Sequence, residues 1–118
     1  MSLMIEDIAA YLATESVGTV GTDIFVSHLP QSPDNGIVVM DTGGETVPQT
    51  DIERHDYQVL IRNTVYSTGQ AKAELVLSTL DDAWWAASKY SRAHSLPIYL
   101  GASETGLHSW SINFTATL

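Results

Sequence analysis

Cysteine is absent from this sequence. That excludes disulfides, thiol nucleophiles and thiolate metal sites, and it leaves the redox compartment open. Basic residues are scarce: Arg54, Arg62, Lys72, Lys89 and Arg92 stand scattered against fourteen carboxylates, for a formal charge of -9. Phosphate contacts need clustered Lys and Arg, so direct sequence-specific nucleic-acid binding is not expected. Long apolar runs are missing too, and the N-terminus lacks the basic region and apolar core of a signal peptide. No membrane partner is expected, and the chain reads as a soluble protein made in the cytoplasm. The four histidines, His28, His55, His94 and His108, are isolated, and no serine sits in a G-x-S-x-G context, so a hydrolase triad has no sequence support.

What is present organises around Tyr57 to Tyr66. Tyr57, Val59, Ile61 and Val65 alternate with Gln58, Leu60, Arg62, Thr64 and Tyr66, the period of two that a strand requires. Bulky groups on both sides mark a central strand, and its polar members predict a face partly open to water or to another subunit. Ahead of it, Ile5, Ile8, Ala9 and Leu12 follow helical spacing with Glu6 and Asp7 in the first turn. Thr22 to His28 and Ile37 to Met40 read as two strands joined through Pro33-Asp-Asn-Gly36, and are expected to form a hairpin. Thr42 to Thr50 has no apolar period, contains Gly43, Gly44 and Pro48, and reads as a long loop.

After the central strand, Ser67-Thr-Gly-Gln70 matches a capping box. Ala73, Val76, Leu77, Leu80 and Trp84 then extend a helical stripe, with Lys89 and Arg92 placed to suit the helix's negative end. At helical spacing one of the two rings of Trp84-Trp85 belongs to the core and the other to its edge; a ligand platform is the alternative. Ile98 to Gly101 reads as a strand. From His108 to Leu118, Trp110, Ile112, Phe114, Ala116 and Leu118 alternate with small polar residues, the clearest strand pattern in the chain. The expectation is one α+β domain over 1–118, with Met1 to Leu3 as an expression leader and Met4 as the natural start, and with two helices packed on a mostly antiparallel or mixed sheet of about five strands.

Two clusters invite a chemical reading. Asp51, Glu53, His55 and Asp56 are of metal-ligand type, but an extended segment sends Asp56 to the opposite side and nothing completes a site, so a solvated edge is expected and no metal. Ile37-Val-Val-Met-Asp-Thr-Gly43 resembles the catalytic turn of retropepsin-type aspartic proteases, in which two chains each supply one Asp. On that alternative reading Asp41 is catalytic. Against it stand the Gly44-Glu45 pair, the mid-chain helix and the long terminal strand.

A broader resemblance runs through nearly the whole chain. Ile5-x-x-Ile8-Ala-x-Tyr-Leu12, Gly21-Thr-Asp-Ile-Phe-Val26, Leu29-Pro30, Pro33-Asp-Asn35, Asp41-Thr-Gly-Gly44, Tyr57-Gln-Val-Leu-Ile-Arg62, Leu100-Gly-Ala-Ser-Glu-Thr-Gly106 and Ser111-Ile-Asn-Phe114 stand in this order. The layout resembles the tailed-bacteriophage minor capsid and tail-terminator (tail completion) family, with Leu107 standing where related proteins often carry Arg. The resemblance implies a structural morphogenesis protein of phage or prophage. It would form a ring, usually of six subunits, at the head-proximal end of the tail tube, ending tail growth and joining the tail to the head connector. Implied partners are other copies of the chain, the tail-tube protein and connector proteins, with no cofactor and no catalysis. Assembly would take place in the host cytoplasm and the final location would be the virion neck. Under this resemblance, Thr42, Gly43, Gly44 and Glu45 of the loop and Gln58, Arg62 and Thr64 of the open strand face are the candidates for subunit or tail-tube contact.

Overall fold

The computed structural model describes residues 4–30, 34–46, 53–86 and 89–117. In chain order the elements are α1 (Met4–Thr14), β1 (Ile24–Val26), β2 (Gly36–Thr46), β3 (Glu53–Asn63), α2 (Tyr66–Leu80), β4 (Ala83–Ala86), β5 (Lys89–Ala93), β6 (Ile98–Ala102) and β7 (His108–Thr117). The strands form one sheet in the order β1-β2-β3-β7-β5-β4, with β6 also paired to β7. The α+β class is as expected, but the sheet has seven strands rather than about five.

As the alternation predicts, β3 is central. It pairs antiparallel with β2 along one side and with β7 along the other. Tyr57, Val59 and Ile61 from β3 join Trp110, Ile112, Phe114 and Ala116 from β7 on the buried face, where the rings of Tyr57 and Phe114 stack at 5.0 Å. Both helices pack on this face: α1 supplies Ile5, Ile8, Ala9 and Leu12, and α2 supplies Ala73, Val76 and Leu80. An eleven-residue strand such as β2 spans roughly 36 Å. The molecule measures 49 × 24 × 22 Å, so the β2–β3 ribbon must lie along its long axis.

Four expectations are corrected. First, β1 and β2 do not make a hairpin. They pair in parallel, with Ile24 opposite Ile37 and Val26 opposite Val39. Second, the loop expected from Thr42 continues as strand to Thr46. Gly43, at φ +114°, absorbs a bulge between Asp41 and the resumption of pairing, and a bulge of this kind redirects a strand without ending it. Residues 47–52, which include Asp51, lie outside the described residues, as do Met1 to Leu3, Pro33 and Leu118.

Third, the second helix stops at Leu80. Asp81 is extended, and its carboxylate accepts the Ala93 N–H at 2.9 Å, while Asp82 takes a positive φ of 54° that an Asp tolerates better than most residues. The chain therefore reverses into the β4–β5 hairpin, so Lys89 and Arg92 sit on a strand and not at a helix end. Trp85 is buried (8% exposed) and Trp84 is exposed (65%), the reverse of what the helical stripe predicts, because alternation on a strand sends neighbours to opposite faces. Fourth, the capping box does not form. Val65 is the N-cap and has no side-chain cap bond. Asn63 Oδ1 accepts the Val65 N–H at 2.9 Å, and Gln70 Oε1 instead accepts the Trp110 indole N–H at 2.7 Å.

Candidate assembly surface

The face of the sheet away from the helices is mixed: Val38, opposite Leu60, is buried there, and polar side chains flank the pair. Gln58, Leu60 and Arg62 of β3 are half-buried there. Gln58 Nε2 donates to Ser111 Oγ at 2.7 Å. Arg62 donates from Nη2 to the Pro30 carbonyl at 2.7 Å and from Nε to the Asp34 carbonyl at 3.0 Å, and the Thr64 N–H donates to Asn35 Oδ1 at 2.9 Å. These bonds clasp the β1–β2 connection to the end of β3. The guanidinium satisfies the carbonyls of Pro30 and Asp34 and so holds these two residues, one following β1 and one preceding β2, against β3.

Thr42, Gly43, Gly44 and Glu45 lie at the far end of the same ribbon. Asp41 Oδ1 accepts the Gly43 N–H at 2.9 Å, closing the bulge, and Gly44 and Glu45 then pair with His55 and Arg54. From His55 to Arg62 is seven positions along β3, roughly 23 Å. The seven candidate contact residues therefore make two separate groups, with Gln58 between them, and not one patch.

On the same face His94 Nε2 lies 2.5 Å from Thr115 Oγ1, which donates to Asp56 Oδ1 at 2.8 Å. The single hydroxyl proton points at the carboxylate, so His94 must donate to the oxygen. A nucleophile activated by a base needs the opposite order, with the histidine accepting that proton. The arrangement ties β5, β7 and β3 together. Among the described residues, no group of three His, Asp or Glu side chains could hold a metal ion. Asp41 is exposed and its carboxylate is engaged in the bulge within a strand, a different setting from a catalytic turn.

The sequence reading placed a strand at Ile98 to Gly101, where β6 lies, but gave it no contact role. This strand pairs only with β7, so alternate backbone N–H and C=O groups along its other side lie at a sheet edge. Exposure there is high for apolar side chains: Leu96 74%, Ile98 46%, Tyr99 42% and Leu100 57%. Ile98 stands opposite Ser111 and Tyr99 opposite Trp110; cross-strand partners share a face, so Ile98 lies on the side away from the helices and Tyr99 on the helix side. Tyr99 joins a ring cluster with Tyr66, His108 and Trp110, its centroid 5.1 Å from Tyr66 and 5.3 Å from Trp110. Its hydroxyl lies 2.7 Å from His108 Nδ1. Tyr66 and Val65, at the start of α2, are about half exposed beside it. An open groove of about 570 Å³ has Arg62, Leu100, Ala102, Leu107 and Ser109 among its lining residues, so one continuous surface links the Arg62 clasp with the β6 edge. A signal existed in the sequence: Leu96-Pro-Ile-Tyr-Leu100 is apolar throughout, without the polar alternate positions of a strand that has one face in water.

Comparison with known proteins identifies a family. The sequence model of the bacteriophage tail terminator protein family matches residues 11–118. Among solved structures, a chain from the virion of the native gene transfer agent (GTA) particle superposes with a TM-score of 0.48 at 17% identity, covering 93% of this chain and 82% of that one. No curated protein matches the chain.

Proposed function

Because the chain belongs to the bacteriophage tail terminator family, a phage structural protein with its place in the virion, we propose that it assembles into a closed ring, of six subunits, at the head-proximal end of the tail tube. There it ends tail growth and joins the tail to the head connector. The family match over nearly the whole chain carries this reading. A cap on a tube needs closed cyclic symmetry, and a ring needs two different surfaces on each subunit. Two candidate surfaces support the reading: a ribbon end at Thr42, Gly43, Gly44 and Glu45, and a half-open face at Arg62 and Thr64 some 20 Å away along β3, with Gln58 between them. The partners are further copies of the chain, the tail-tube protein and connector proteins, and the work is assembly without catalysis.

The test is native mass across protein concentration with imaging of large species, together with electron microscopy of particles made without this chain. A discrete ring of about six subunits, and overlong unjoined tails in its absence, are the expected results. Tails of normal length joined to heads without the protein would end the proposal. The ribbon end and the Arg62 face are tested by Arg62→Glu and by a shortened ribbon: if both leave ring formation and tail joining intact, these residues are not the contacts.

A further inference from the structure

Fourteen carboxylates are distributed very unevenly along the chain. Residues 1–56 hold ten of them against one basic residue, net -9, whereas residues 57–118 hold four carboxylates and four basic residues, net zero. The fold turns this sequence asymmetry into a spatial one. Strands β1 and β2, with α1 packed on them, come from the acidic part and form one side of the sheet; β7, β5, β4 and β6 come from the neutral part and form the other. The β6 edge and its flanks, Val65 to Gly69 and Leu96 to Ser103, carry no charged side chain at all.

An uncharged, apolar sheet edge is a template for pairing, which natural proteins blunt with charge, proline, bulges or a covering element; here Pro97 precedes β6 and a bulge lies between Tyr99 and Gly101, but no charge protects the edge. Among the described residues nothing covers it. Contiguous exposed apolar surface ringed by polar groups marks a contact site, and Tyr66 and Tyr99 are the residue type that dominates such contacts.

We infer that the outer edge of β6, with Tyr66 and Leu96 beside it, is the surface that receives a second copy of this chain. Charge selects the occupant. Two acidic sides cannot meet without like-charge repulsion, so an acidic subunit associates with its own kind through the side whose four carboxylates are balanced by four basic residues. The contact is head-to-tail, the β6 edge of one subunit against a surface outside β6 on the next; this step rests on the ring reading, because a β6-to-β6 contact would stop at two subunits. An added strand or extended segment on β6 would satisfy its outward backbone groups while Ile98 and Leu100 supply the apolar contact on one face and Tyr99 on the other.

The experiment compares the full chain with the Ile98→Glu/Leu100→Glu double variant by sedimentation and native mass over a concentration series, with circular dichroism to check the fold. Both side chains are about half exposed and neither belongs to the buried core, so the variant is expected to fold as the parent does. Its self-association is expected to weaken about 30-fold or more, the loss typical of a disabled interface centre. In mixtures, a substoichiometric amount of the variant should cap growing assemblies, because it keeps its other surface. A second probe is Leu100→Cys, the single cysteine of an otherwise cysteine-free chain, whose maleimide labelling should slow about tenfold on assembly. Assembly of the double variant equal to that of the parent, with Leu100→Cys labelled as fast in the ring as in the monomer, overturns the inference and leaves the ring reading standing. If the variant assembles normally but fails to join tails, the edge meets another virion protein, and the inference also falls. If the parent forms only dimers or open chains that the variant abolishes, the β6 contact holds and the closed ring does not. A parent that stays monomeric at every concentration ends both.

Discussion

Replacing Gly69 with alanine sets two known effects against each other. Gly69 lies in the first turns of α2 with its N–H on the Val65 carbonyl at 2.9 Å, and a helical glycine ordinarily costs about 1 kcal/mol relative to alanine. Propensity alone therefore predicts a more stable protein. The structure predicts the reverse, because a Cβ at this position would lie 2.2 Å from Trp110 Cζ3 and 2.4 Å from Trp110 Cη2. Carbon contacts are optimal near 3.5–4.0 Å, so helix and ring must separate by more than an ångström. The indole is fully buried, rigid, and held by its N–H to Gln70, so it has nowhere to turn. Overpacking of this kind costs about 1–3 kcal/mol, and loss of the indole hydrogen bond adds about 1 kcal/mol.

Subtracting the propensity gain leaves a net destabilisation of about 1–3 kcal/mol, or a fall in Tm of roughly 5–15 °C for a chain of this size. The assay is thermal melting followed by circular dichroism and tryptophan fluorescence, at one protein concentration, since assembly adds its own stability. A double-mutant cycle isolates the cause: in a Trp110→Leu background, Gly69→Ala should become neutral or stabilising by up to about 1 kcal/mol. A Tm unchanged or raised by Gly69→Ala in the parent would show that the sheet yields and that close approach of α2 to Trp110 does not hold the fold.

Three further outcomes are expected. Tyr57 donates to Ser91 Oγ at 2.8 Å and Ser91 donates to the Leu80 carbonyl at 2.6 Å, all buried; Tyr57→Phe should cost about 1 kcal/mol, and Ser91→Ala, which strands both neighbours, about 1–3 kcal/mol by urea unfolding. Burial raises the Tyr57 pKa, with the Ser91 bond opposing it, so the folded state holds this proton after the unfolded chain has released its own near pH 10. The associated stability is complete below about pH 10 and is lost as pH rises above it, and Tyr57→Phe should flatten that alkaline decline. Arg62→Met keeps the apolar stem but cuts the clasp on Pro30 and Asp34, and should lower stability by about 1–2 kcal/mol, with amide exchange accelerating first at Asp34 to Ile37. Asp41→Asn retains an acceptor for the Gly43 N–H and should leave melting temperature and tail joining unchanged, with no acid-dependent peptide cleavage by either protein; cleavage by the parent alone would restore the protease reading.

Where helices cover one face of a strand only, the sequence tells its structure plainly, and where two elements compete for the same residues it does not. Trp110 to Ala116 and Tyr57 to Ile61 were legible because alternation by itself decides which side is buried. The Trp84-Trp85 segment was misread because Ala73 to Trp84 satisfies helical spacing; only the carboxylates of Asp81 and Asp82, bonded to Ala93 and Tyr90 on a strand that sequence spacing cannot place, turn the chain. The parallel pairing of β1 and β2 was hidden for the same reason, since it depends on Arg62, far along the chain, holding Pro30 and Asp34. Contact residues are harder still. Thr42 to Glu45 and Arg62 were singled out as polar breaks in a strand pattern, and within one subunit the bulge and the clasp account for them. Ile98 to Gly101 was read as a strand but given no contact role, because an apolar run looks like core. Once the fold leaves that run at an open edge, without a carboxylate between Asp82 and Glu104, the same residues become the place where an acidic subunit can meet its neighbour.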